Sequence, residues 1–341
     1  MTLSTSSCAV RRLGLVRLCC ENLFIIIVLL GLFSTQATAA SFDCKKAATW
    51  LEKTVCSNPE LSKLDEQLAK AYRDALASLS PEGQKETKQY QRQWFKELSS
   101  YSKAKLKLRL GKWSWDAETA LERIYEGRIK QLQESLIKFP DRIFRNVYID
   151  HSITDKTCPI VYIGRGFQYP QIDNPRDENE KFWNNFISKK ANDNLKASFK
   201  CQDIYDEYAV TFSNKHLISV KFTHNWYTQG AAAHHGYLET GSISWLLEDK
   251  RELEASDLFD DKTDWPNKLA ELVAQKMKKV ELESEFTNMI NHPHLWEISK
   301  NGLGYLSFFN AAGYGNAPVI TIDWKTLDPY LSKNGRSLIH D

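Results

Sequence analysis

Two periodicities divide the chain. After Ser57-Asn58-Pro59-Glu60, which offers a capping side chain, a proline for the first turn and an early acid, Leu61, Leu64, Leu68, Tyr72, Ala75 and Leu79 recur at spacings of three and four. That spacing lays one apolar stripe along a helix. Ser80-Pro81-Glu82-Gly83 interrupts it, a second helix carries Tyr90, Trp94, Leu98 and Tyr101, and a third carries Leu121, Tyr125, Arg128, Leu132 and Leu136. Between these two, residues 103–113 alternate lysine or arginine with leucine and are read as a solvated connection.

From Asp141 the period falls to two. Tyr208, Val210 and Phe212 alternate with their neighbours, as do Ile218, Val220, Phe222, His224 and Trp226, and later Ile320, Ile322 and Trp324. Such alternation describes half-buried strands. Helical stretches interrupt them around 177–197 and 264–283, the second opening at Asp264-Trp265-Pro266, and Asn301-Gly302 signals a hairpin turn. The expected fold class is α+β: a helical domain over residues 41–138, then an antiparallel-sheet domain over 139–341 with helices on one face.

A different kind of segment precedes both. Arg11, Arg12 and Arg17 stand ahead of an uncharged apolar run from Leu23 to Phe33, which gives way to small residues ending in Ala37-Thr38-Ala39-Ala40. The run falls well short of the about 20 residues that span a bilayer, so residues 1–40 read as a secretory signal peptide cleaved near Ala39 or Ala40. A periplasmic or secreted protein with no stable membrane span after cleavage is the expectation.

Export changes how the cysteines are read. Cys44, Cys56, Cys158 and Cys201 remain after the leader, an even number in a compartment where disulfides persist. Of the three pairings open to four cysteines, the most local joins Cys44 to Cys56 and Cys158 to Cys201. The first two lie 12 positions apart. In one straight helix their Cα atoms would be about 18 Å apart, against the about 4.4–6.8 Å that a disulfide spans. The bond therefore requires residues 42–46 to lie back along a short helix ending near Val55, stapling the helical module.

Charge adds one distinction. The formal net charge of +2 is a leader effect, because removing the three leader arginines and Glu21 leaves equal numbers of basic and acidic side chains. Nucleic acid is not implied as a partner. Residues 41–138 carry 19 basic and 14 acidic side chains, whereas 139–341 carry 23 and 28.

Particular residues then suggest relatives. Phe42-Asp43-Cys44, Glu52-Lys53, Cys56, Asn58-Pro59-Glu60-Leu61, Leu64-Asp65, Tyr72, Gln91-Arg92-Gln93-Trp94 and the later Tyr125 and Arg128 make the first part resemble the LprI-like lysozyme-inhibitor domains, small secreted helical modules. Many members carry a further cysteine pair, which is missing here between Leu98 and Leu121. Residues from about 200 to 331 resemble the extracytoplasmic domain shared by the anti-sigma lysozyme receptor RsiV and some polysaccharide deacetylases. That resemblance rests on Tyr227-Thr228-Gln229-Gly230 through His234-His235-Gly236, Gly241, Ala255-Ser256-Asp257-Leu258-Phe259, and Gly302-Leu303 with Ala311-Ala312-Gly313-Tyr314-Gly315. In the receptor this domain type binds lysozyme, so the resemblance implies a protein partner of that class.

Candidate chemistry is sparse. His224, His234, His235 and Glu239 have the donor types that zinc selects, but adjacent strand residues point to opposite faces, and the set is read as binding surface with no metal or other cofactor. His292-Pro293-His294 reads as a turn, Ala312-Gly313-Tyr314-Gly315 lacks the lysine of a phosphate loop, and no G-x-S-x-G occurs. The protein is not expected to be an enzyme. Its expected function is recognition, and inhibition, of a cell-wall hydrolase such as lysozyme, through Trp226, Tyr227, Gln229, His234, His235, Tyr237 and Asp257. Acidic residues from Glu248 to Asp264 would steer a basic partner. The alternative is an envelope enzyme, or an accessory to one, acting on peptidoglycan or polysaccharide with a His-rich metal site.

Overall fold

A computed structural model describes residues 40–100, 116–150, 153–159, 162–196, 201–230, 237–277, 290–305 and 319–340. Residues 1–39 of the expected leader, the basic connection 103–113, and His234 and His235 lie outside them. Asp43 starts a 3-10 turn over Cys44–Lys46, and Thr49 and Glu52 form a reciprocal capping box on helix α1 (Trp50–Ser57). The turn folds the chain back, so the Cα atoms of Cys44 and Cys56 lie 5.7 Å apart in a disulfide. Cys158 and Cys201 form a second, so the local pairing holds.

Capping side chains set the next three helix starts. Asn58 Oδ1 accepts from the backbone N–H of Glu60 and Leu61 at 2.9 and 3.1 Å, opening α2 (Pro59–Ser78). Ser80 Oγ accepts from Gly83 N–H to open α3 (Pro81–Ser99), and Asp116 opens α4 (Ala117–Gln133) in the same way. Their apolar stripes meet in one cluster that buries Leu51, Leu61, Leu64, Leu68, Leu98, Leu121 and Tyr125. Trp94 packs edge-on against Tyr125 at 5.8 Å. One carboxylate enters this core with partners: Asp65 accepts from the Ser41 N–H and hydroxyl at 2.7 and 2.6 Å.

The sheet half follows in chain order: β1 (Leu136–Lys138), β2 (Ile143–Asp150), β3 (Ile153–Thr154), β4 (Tyr162–Ile163), β5 (Arg165–Ile172), α5 (Glu178–Lys196), β6 (Gln202–Ser213), β7 (Leu217–Thr228), β8 (Tyr237–Leu246) and β9 (Arg251–Glu252). Seven of these strands form one sheet in the order β1-β2-β5-β6-β7-β8-β9. Every neighbouring pair in it is antiparallel except β5 and β6. Those two run parallel because α5 carries the chain across between them.

On α5, Trp183, Ile187 and Ala191 recur every fourth residue, all fully buried against Phe144, Tyr169, Ile218, Val220 and Trp245. The opposite face of the sheet receives a second core, built by α6 (Ala255–Leu258), α7 (Trp265–Lys276), β10 (Trp296–Ser299), β11 (Gly302–Tyr305), β12 (Ile320–Asp323), α8 (Trp324–Leu327) and α9 (Lys333–His340). Strands β10 to β12 pair as a small antiparallel sheet. A register shift between Val210 and Phe212 explains why one strand serves both cores: the extra residue reverses the alternation, so Val210 stays on the α5 side and Phe212 joins the other cluster. The hairpin signal also finds its place. Ser299 pairs with Gly302, and a Cβ on Gly302 would stand 2.1 Å from the Ile322 carbonyl oxygen, so only glycine lets β12 approach.

Helices and sheet join through a polar node. Asp173, just after β5, accepts from Ser80 N–H at 2.8 Å, Ser80 Oγ at 2.7 Å and Arg145 Nη1 at 3.2 Å. Arg145 of β2 also meets Glu86 of α3 at 3.2 Å. Residues Ala40–Asp341 form one compact unit.

Candidate binding surface

Strand β7 is buried over its first four residues and half-buried over the remaining eight. Its alternation carries Ile218 and Val220 into the α5-facing core and brings His224 and Trp226 to the same side beyond it. In register, His224 stands between Asp206 of β6 and Glu239 of β8. Asp206 is 3% exposed, and its carboxylate is hydrogen-bonded to His224 Nδ1. The His224 ring packs on the Trp226 ring at 4.9 Å between centroids. Burial disfavours the charged imidazole, but the hydrogen bond and charge of Asp206, with Glu239, prevail and raise its pKa.

That electrostatic balance bears on what the site can hold: the hydrogen bond and charge of Asp206 favour the protonated imidazole, whereas zinc takes the neutral one. Among the described residues, no group of three or more His, Cys, Asp or Glu side chains could hold a metal ion. With Nδ1 on Asp206, Nε2 is the ring nitrogen that this carboxylate does not engage, and the ring lies beside an aromatic face. Tryptophan-centred, partly desolvated clusters of this kind concentrate binding energy at protein interfaces.

The structure separates the other expected contacts. Tyr227 is half-buried on the opposite side of β7 from Trp226. Gln229 is only 5% exposed; its Nε2 donates to Asp203 Oδ2 at 3.2 Å and its backbone N–H to the Cys201 carbonyl at 2.9 Å. A carboxylate clamped in this way, with its other oxygen accepting from Gly164 N–H, fixes the strand end beside the Cys158–Cys201 bond. Gln229 therefore serves the fold and has no free surface to offer a partner. The backbone of Tyr237 pairs with Trp226, while its side chain, like His234 and His235, lies outside the described part of the molecule.

Asp257 is remote from all of these. It follows β9, which pairs with Trp245 and Leu246 at the far end of β8 from Tyr237, on the order of 30 Å away at about 3.3 Å per residue. Arg251 donates to both its oxygens at 2.7 Å, and the hydrogen bond and charge of that guanidinium lower its pKa despite partial burial. The acidic run shares this location, with Asp249 also tied to Arg251. The expected steering group and the His224–Trp226 surface thus occupy opposite ends of the sheet, farther apart than the screening length of about 8 Å at physiological salt.

A second feature borders the first. Helices α3 and α4 and strands β2, β5 and β6 enclose a cleft of about 290 Å³, lined by Tyr90, Trp94, Arg128, Tyr148, Asp206 and Glu207 among others. Arg128, 5% exposed, donates through Nε to Gln91 Oε1 at 2.9 Å and through Nη1 to Gln131 Oε1 at 3.1 Å. Burial pushes its pKa down to about 10, against the pull of Tyr148 and Tyr72, and it remains a cation at neutral pH.

No protein-family profile matches the chain, and no curated protein does. Solved structures do. The chain is similar to a DUF3298 family member from Bacteroides fragilis, with 16% identity and a TM-score of 0.40 over 60% of this chain and 97% of that one. It is similar as well to a DUF3298 family protein from Pseudomonas aeruginosa, with 14% identity and a TM-score of 0.36 over 56% and 94%. Both of these solved neighbours are DUF3298 proteins. The LprI-like resemblance of the first part rests on its motif residues alone.

The sequence held signals for some of what it missed. Asp206 sits in the same alternating run as Tyr208, and a carboxylate at a core-facing position requires a partner. Arg128 falls on the buried stripe of α4 beside Tyr125, where a charge is equally out of place.

Proposed function

We propose that the protein is an extracytoplasmic binding protein that recognises, and by occlusion inhibits, a cell-wall hydrolase such as lysozyme. The observation that carries this reading is the His224–Trp226 surface: an imidazole held by a buried carboxylate and packed against tryptophan, on a strand that has run past its core. Two disulfides fit an oxidising compartment, and no helix among the described residues is long and apolar enough to cross a membrane. The class of partner rests on the motif resemblances of both parts to lysozyme-linked domains. Occlusion needs no catalytic group, only a surface that seats in the hydrolase cleft. Co-purification with lysozyme and a turbidity-clearing assay test it. The reading expects a complex and slowed clearing, both lost in Trp226→Ala, and it fails if saturating protein neither binds nor slows clearing.

One observation favours a second reading, an envelope enzyme. A buried carboxylate that orients a histidine is also how a general acid or base is held. Peptidoglycan turnover by the purified protein, lost in His224→Ala, would favour it over binding.

A further inference from the structure

The cleft beside α4 contains a buried charge that no described carboxylate neutralises. Arg128 is buried without any carboxylate among the described residues; its hydrogen-bond partners are the neutral amides of Gln91 and Gln131. A guanidinium has five N–H donors, and two are used. Burying an unpaired charge is costly, and removing the ion for a neutral side chain of similar size is commonly tolerated, so a lone cation here calls for a counter-ion from outside. An independent observation points the same way: the Tyr148 hydroxyl, lining the same cleft, is buried, with the Asn146 side chain near it but no well-formed hydrogen bond among the described residues.

The remaining lining narrows the ligand. Glu97, Asp206 and Glu207 line the cleft together with Arg123 and Arg128, so it is not a uniformly positive funnel and a polyanion would meet repulsion. Glu207 is exposed; burial chiefly raises the pKa of the Tyr148 hydroxyl, with Glu134 and then Glu207 adding to it and Arg128 opposing. Tyr90 and Trp94 supply aromatic walls. The volume of about 290 Å³ sits at the lower end of small-ligand pockets. We propose that this cleft binds a small zwitterion, an amino acid or short peptide with a free carboxylate. The carboxylate sits on the Arg128 guanidinium and the Tyr148 hydroxyl, and the ammonium lies toward Glu207. The site borders the His224–Trp226 surface, with Asp206 common to both, and stands whether or not that surface binds a hydrolase.

Isothermal titration of the mature protein with alanyl-alanine, its C-terminal amide and inorganic phosphate tests the assignment. Alanyl-alanine should bind, and the amide should bind about tenfold or more weakly, the loss of a charge-assisted contact. Arg128→Gln should weaken the dipeptide by a similar factor, and Tyr148→Phe, which removes one hydroxyl, by roughly three- to tenfold. Should Arg128→Gln fail to fold, the amide comparison and Tyr148→Phe decide. The proposal is overturned if the dipeptide does not bind at millimolar concentration, if its amide binds equally well, if Tyr148→Phe leaves affinity unchanged, or if phosphate binds in preference.

Discussion

Asp173→Ala probes how the helical and sheet parts are held together. Its side chain is 6% exposed and its partner Arg145 is 4% exposed. The substitution deletes bonds from Ser80 N–H, Ser80 Oγ and Arg145 Nη1. Hydrogen bonds to a charged group are worth about 1.5–3 kcal/mol each. Arg145 keeps Glu86 at 3.2 Å and Gln171 at 2.9 Å, so its charge is not stranded and the estimate takes the lower end of that range. The backbone N–H of Ser80 loses its acceptor next to the start of α3. The expected loss is about 3–5 kcal/mol, while Asp173→Asn, which keeps an acceptor, should lose about half as much. Urea unfolding followed by tryptophan fluorescence and by far-ultraviolet circular dichroism measures both. The two signals should coincide in the native sequence and diverge in Asp173→Ala, as the helices lose their attachment. A loss below about 1 kcal/mol, the scale of an ordinary surface change, would refute the reasoning.

Other consequences follow from the same geometry. The raised pKa of His224 means that its pairing with Asp206 stabilises the fold fully below the unfolded value of about 6.5, and the contribution is lost as pH rises through the folded pKa. The stability difference between native protein and His224→Gln, measured by thermal unfolding across that window, should therefore shrink with rising pH; growth would contradict it. Replacing Cys44 and Cys56 by serine should cost about 3 kcal/mol, and replacing Cys158 and Cys201 about 4 kcal/mol because the loop is longer, both readable as shifts in denaturant midpoint. At Gly241, a Cβ would stand 2.2 Å from Phe222 Cζ. Gly241→Ala should thus destabilise by about 1–3 kcal/mol, with part of the loss recovered when Phe222 is shortened to leucine in a double-mutant cycle.

The parts of this fold that were legible in the sequence are those written locally. Asn58 and Ser80 cap the helices they precede, and the three-and-four spacing of Leu61, Leu64 and Leu68 is the stripe that packs. The alternation of β6 gave its burial, though β7 is buried on both faces over its first four residues, and α5 occupies Glu178–Lys196 against an expected 177–197. The disulfide pairing followed from sequence proximity. Long-range relations were not legible. Nothing local says that β5 and β6 run parallel, or that one extra residue at Thr211 sends Phe212 to the opposite core. Asp257 and Trp226 fall in neighbouring motifs, yet β8 carries the chain the length of the sheet between them. Gln229 was an expected partner contact and is a buried clamp on Asp203, a pairing across 26 residues that no local pattern announces. Arg128 was hidden by its own helix stripe, where the periodicity counts position and not charge.

Hydrogen exchange of the protein, with and without saturating lysozyme, addresses the proposed function where it is most exposed. Binding through the end of β7 and β8 predicts slowed exchange over residues 223–229 and the start of β8, with little change at β9 and α6 around Asp257. Unchanged exchange over 223–229 with lysozyme present, or protection confined to the Asp257 end, would contradict it.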